Sequence, residues 1–118
     1  MTPRLTDAVG EAKKAALQVL RHNAHGPCRG LPRTAGWGYP EPYTRDLMIA
    51  ALGILGSGDE RLILGLRRTL ETAARNQSRL GHIPSLIHDP EDRGASDTTP
   101  LFLMATALFR ETSGERAF

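Results

Sequence analysis

The sequence predicts an all-α protein of helical hairpins arranged in two layers. Three observations lead there. No stretch shows the apolar–polar alternation of a half-buried strand, whereas four stretches carry helical periodicity or a near-continuous apolar run. Those four alternate in kind: one-faced, all-apolar, one-faced, all-apolar. Both all-apolar stretches follow long loops, whereas the link after the first of them is only Gly56-Ser57-Gly58. A helix apolar all round belongs inside and a one-faced helix outside, so the pattern predicts inner and outer helices in turn.

The first helix is expected over 7–24, capped by Thr6. Leu5, Ala8, Val9, Ala12, Ala15, Ala16, Val19 and Leu20 share one arc, while Asp7, Glu11, Lys14, Gln18 and Arg21 take the other. It reads as an outer helix. Residues 25–42 hold four glycines and four prolines, which predicts a shaped loop. Trp37, Tyr39 and Tyr43 crowd its end, separated by Gly38, Pro40 and Pro42.

Arg45 and Asp46 come next, at the start of a helix expected over 44–56. Leu47, Met48, Ile49, Ala50, Ala51, Leu52, Ile54 and Leu55 leave it no polar face, so burial on every side is expected, Leu52 included. Asp59 is a suitable cap for a helix over 60–76. Leu62, Ile63, Leu66, Leu70, Ala73 and Ala74 form its apolar side, opposite Glu60, Arg61, Arg67, Arg68, Glu71 and Arg75. Residues 77–96 form a long loop to which Ile83, Leu86 and Ile87 give order. The last helix, about 99–112, starts at Asp97-Thr98-Thr99-Pro100, continues LFLMATALF and closes at Gly114.

Composition narrows the function classes. Fifteen basic against thirteen acidic residues, a net charge of +2, do not call for a nucleic-acid partner. Arg67, Arg68, Arg75 and Arg79 read as a solvated face with Glu71 among them. The single Cys28 excludes an intrachain disulfide and a multi-cysteine zinc site, and fits a cytoplasmic setting. The longest apolar run, Leu47–Leu52, falls far short of the roughly 20 residues of a membrane span, so no membrane partner is expected. No cofactor and no metal are implied: His82 and His88 lack helical ligand spacing, and Cys28 has no neighbouring base in sequence.

If the two apolar helices run parallel, both long loops end at one rim. Both helix starts then lie there, where unpaired N–H groups favour anions and hydroxyl oxygens. The residues at that rim carry a resemblance. WGYPEPYTRDLMIAALGIL, GHIPSL and DPEDRGASDTTPLFLMA resemble the opening segment of the six-hairpin glycosidases. These are (α/α)6-toroid glycoside hydrolases that include glucoamylase-like, amylo-α-1,6-glucosidase-like and neutral-invertase-like enzymes.

The resemblance implies a carbohydrate substrate and hydrolysis of an α-glycosidic bond, without a cofactor. It implies that Arg45 and Asp46 grip sugar hydroxyls, or that Asp46 is the acid catalyst, and that Asp97 lines the same cleft. Trp37, Tyr39 and Tyr43 would stack on sugar rings. The chain is then the N-terminal portion of a larger toroid, with about two of six hairpins and one of the two carboxyl groups that glycoside hydrolysis needs.

Plainer readings stand beside these. Asp46 suits any first helical turn, Arg45 could pair with Glu41 or Asp46, either Asp97 or Thr99 could cap the last helix, and the aromatics could anchor a core. Two all-apolar helices also cannot be fully covered by two one-faced ones. That predicts a sticky flank, and with it self-association or docking to a complementary toroid segment in a non-catalytic interaction module.

Overall fold

The structure is a computed structural model that describes residues 4–28, 31–34 and 38–118. It is all-helical: α1 (Leu5–Asn23), α2 (Thr44–Ser57), α3 (Glu60–Arg75) and α4 (Thr98–Ser113). Among the described residues the only β-type pairing is an isolated antiparallel bridge between Tyr43 and Leu86.

The α2–α3 turn follows from two residues. Gly58 takes a left-handed conformation (φ 68°) that ends α2, and the Asp59 carboxylate then accepts the backbone N–H groups of Arg61 and Leu62, both at 3.1 Å. So short a link folds α3 back onto α2. The α3 stripe is buried as its spacing requires: Leu62, Leu66, Leu70 and Ala73 are all at or below 3% exposure. Thr69 joins them, its hydroxyl donating to Gly65 O at 2.9 Å. The core closes with Leu47, Met48, Ala51 and Ile54 of α2, Ala105 and Phe109 of α4, and Leu31, Ile83 and Ile87 from the loops. The Phe118 ring covers Phe109, with centroids 4.8 Å apart.

The two long loops meet as a short antiparallel strap. Thr44 N–H donates to Ser85 O at 2.8 Å, and Ile87 N–H donates to Pro42 O at 3.1 Å. The buried Thr44 hydroxyl donates to Pro84 O at 2.5 Å. On the other side Ile83 N–H donates to Thr99 Oγ1 at 3.0 Å. The strap therefore binds the first turns of both α2 and α4, which pack together with those turns side by side. Gly94 permits the approach: its φ is 73°, and a Cβ there would collide with Ile83 O. Asp92 holds the loop from within, accepting Leu86 N–H at 3.1 Å and Gly94 N–H at 2.8 Å. Burial alone would raise its pKa, but the backbone donors of Gly94, Leu86 and Ser85 outweigh that and lower it.

Two expectations need correction. The apolar helices are not buried on every side: Ile49 and Leu52 of α2 are 51% and 57% exposed, and Leu103 and Met104 of α4 are 61% and 57% exposed. Each has neighbours on part of its circumference only, and burial depends on neighbours, not on composition. Helix α1 begins at Leu5 with Arg4 at the N-cap, not Thr6. Its expected arc is largely bare, with Leu5 81%, Val9 46% and Val19 55% exposed. Only Leu17, Leu20 and Ala24, near its end, pack on the core. Arg21 Nε to Asp59 Oδ2 at 2.9 Å and Arg33 N–H to Asn23 O at 2.7 Å anchor that end. The molecule is elongated, 59 × 35 × 24 Å. No helix among the described residues is long and apolar enough to cross a membrane.

Candidate functional site

The strap places the start of α2 beside the start of α4, and the expected site residues gather there. Arg45 pairs across the gap with Asp97, Nε to Oδ2 at 3.0 Å, and with neither Glu41 nor Asp46. Both side chains are well exposed, so the pair contributes little stability; its effect is to fix two charged groups at one rim. Asp97 occupies the N-cap position of α4 but makes no capping hydrogen bond. Neighbouring hydroxyls are used elsewhere: Thr98 Oγ1 accepts Ala95 N–H at 3.0 Å, and Thr99 Oγ1 accepts Ile83 N–H. The second Asp97 oxygen, Oδ1, is shielded from water with no hydrogen-bond partner among the described residues. A shielded carboxylate oxygen with no donor is costly, and a donor group placed there relieves it.

Asp46 lies in the first turn of α2, exposed, and its carboxylate has no hydrogen bond or ion pair with the described residues. It opens onto a hollow of about 450 Å³ lined by Thr34, Tyr39, Tyr43 and Asp46. Tyr39 is 59% exposed, which makes it an available ring and not a core anchor. Tyr43 is half-buried, held by its N–H donating to Thr34 Oγ1 at 2.6 Å. Trp37 lies outside the described residues. Thr34 is a lining residue the sequence did not point to, because its link to Tyr43 crosses a loop.

A second gathering lies where the loops meet. The strap register sets Tyr43 against Leu86 and Thr44 against Ser85, and continuing it brings Glu41 opposite His88. Cys28 joins them, Sγ donating to Glu41 Oε2 at 3.5 Å, while His88 Nε2 stands 3.6 Å from the same oxygen. All three ligand atoms lie within 4.8 Å of one another. Burial, with the Glu41 hydrogen bond and charge added, pushes the Cys28 thiol above its ordinary pKa. Sequence spacing hides this group, since Cys28 and His88 are far apart and neither sits on a helix. The one legible hint is that Glu41 and His88 each flank a buried strap residue, Pro42 and Ile87.

A larger hollow, about 920 Å³, separates the end of α1 from the start of α3 and includes Arg21, His25, Arg61 and Arg68. Arg21 is already paired with Asp59 there, whose pKa is lowered by the Leu62 N–H and then by Arg21. On the outer face of α3, Arg67 bonds Glu71 at 3.0 Å and Glu115 at 3.1 Å, and Arg75 lies 3.6 Å from Glu71. Arg21, Arg67 and Arg75 are thus each paired with an acid. The rim is the better candidate despite its smaller hollow: among the described residues it brings together two helix starts, an unpaired carboxylate and an exposed ring.

No family model matches the chain, and no curated protein or solved structure matches it.

Proposed function

We propose that the rim formed by the starts of α2 and α4 binds a saccharide, as a sugar-contacting segment of an (α/α)-toroid glycoside hydrolase acting on an α-glycosidic bond. The observation that carries this reading is the Arg45–Asp97 tie between the two helix starts, with the exposed Asp46, unpaired among the described residues, next to Arg45 in the same first turn of α2. Sugars present hydroxyls that both donate and accept. Carboxylates at Asp46 and Asp97 accept, the Arg45 guanidinium donates, and Tyr39 and Tyr43 offer flat apolar faces beside Asp46. The local task is holding a ring in place, which serves catalysis by orientation. Asp46 fits hydroxyl recognition better than acid catalysis, because a proton donor needs an apolar pocket and Asp46 is exposed. The toroid rests on the resemblance and on the alternation of one-faced and all-apolar stretches in the sequence; the four helices support the all-α class.

Calorimetric titration with maltose and with glucose tests this reading. Asp46→Asn is expected to weaken binding by about tenfold or more, because it removes a charged hydrogen bond, while the far-UV circular dichroism stays unchanged. Wild-type affinity in that variant contradicts the assignment.

One observation favours a second reading, a self-associating helical module. Ile49 and Leu52 of α2, with Leu103 and Met104 of α4, leave large apolar side chains exposed on two packed helices. Sedimentation analysis of Leu52→Glu separates the two: this reading expects a wild-type dimer and a monomeric variant, whereas a wild-type monomer removes it.

A further inference from the structure

The strap between the two long loops does more than tie helices together. Its register fixes Glu41 and His88 opposite each other, and the turn at Cys28, closed by Leu31 N–H on Cys28 O at 2.9 Å, brings a thiol to the same spot. Leu31, Pro42 and Ile87, all buried, sit next to or near these three residues in sequence and hold their backbones in place. The result is one sulfur, one nitrogen and one oxygen donor from three separated segments, aimed at a common point.

The distances are those a tetrahedral ion needs. Zinc bonds of about 2.0–2.3 Å at tetrahedral angles put pairs of donor atoms about 3.4–3.6 Å apart. Two of the three separations here are 3.5 Å and 3.6 Å. The remaining one, Cys28 Sγ to His88 Nε2, is within 4.8 Å. All three residues are partly buried. His88 Nδ1 is itself shielded and without a partner among the described residues. The ring therefore presents Nε2 to the cluster, while the outer hydrogen bond that ligating histidines ordinarily make from the other nitrogen is not formed among the described residues.

We infer that Cys28, Glu41 and His88 form a binding site for a divalent cation of the zinc class, with three protein ligands and a fourth position left for water. The mixed sulfur, nitrogen and oxygen set selects borderline ions such as Zn2+ and Co2+ over Mg2+ or Ca2+, which take oxygen ligands. The site is independent of the saccharide rim: its ligands do not include Arg45, Asp46 or Asp97. By joining the loop before α2 to the loop before α4, a bound ion also clamps the strap that aligns the two helix starts.

Cobalt titration of the intact chain tests the site. One equivalent of Co2+ is expected to give a thiolate-to-metal charge-transfer band and the strong visible bands of tetrahedral cobalt, both abolished by added Zn2+. Cys28→Ser removes the charge-transfer band, and His88→Ala and Glu41→Gln each weaken binding by about tenfold or more. Zn2+ also raises the melting temperature of the wild type, because it binds the folded chain. A wild-type protein that shows no band in excess cobalt overturns the inference without reference to any variant. A half-equivalent endpoint, meaning thiols from two copies, overturns it too, as does a band of unchanged affinity in both His88→Ala and Glu41→Gln.

Discussion

Helices α1 and α3 are both one-faced in sequence, yet they meet different fates. Helix α3 buries Leu62, Leu66, Leu70 and Ala73 to 3% exposure or less, whereas α1 leaves Leu5, Val9 and Val19 in water. Two causes separate them. The α3 stripe is leucine, while the α1 arc holds four alanines, each of which brings little more than one methyl group to burial. Helix α3 also leaves α2 through a tight Gly58-Asp59 turn and must fold back, whereas α1 reaches the core only near its end, by Leu17, Leu20, the Arg21–Asp59 contact and the Asn23–Ala24 terminus. Amphipathic spacing states which face can be buried. The side-chain size and the connection decide whether it is.

The contrast can be broken by mutation. Leu70→Ala, at 0% exposure in the centre of α3, is expected to cost about 2–5 kcal/mol in urea unfolding. Thr44→Val removes the buried hydroxyl on Pro84 O and leaves that carbonyl unsatisfied, with an expected cost of about 1–3 kcal/mol. Because Thr44 belongs to the strap, its loss also loosens the alignment of α2 with α4. Val9→Ala in α1 and Leu52→Ala on the open side of α2 are each expected to change stability by about 0.5 kcal/mol or less. A cost of several kcal/mol at Val9 gives α1 a packed face and removes the contrast.

Much of the architecture is legible in the residues. The stop at Gly58, the cap at Asp59, the end at Gly114 and the ordering of the second long loop by Ile83 and Ile87 all follow from local chemistry. Helix boundaries fall within a residue or two of those expected, α1 included. What local chemistry could not supply is which side of an all-apolar helix meets a neighbour, so Leu52 reads as core and is surface. The candidate site divides in the same way. That Arg45 and Asp97 meet at one rim is legible only as a consequence of α2 and α4 starting at the same end, whereas the Arg45 partner and the idle Asp97 oxygen depend on where the strap sets α4. The Cys28–Glu41–His88 group lies beyond sequence spacing altogether, since two loops must pair in one register before it exists.

The rim's role as a saccharide site is tested most directly by two-dimensional 1H–15N spectra recorded as maltose is added. Saturable shifts at the backbone amides of Thr34, Tyr43, Asp46 and Asp97, with the α1 amides unmoved, are the predicted result. No shift at millimolar sugar, or shifts confined to Arg21, His25, Arg61 and Arg68 around the larger hollow, would contradict it.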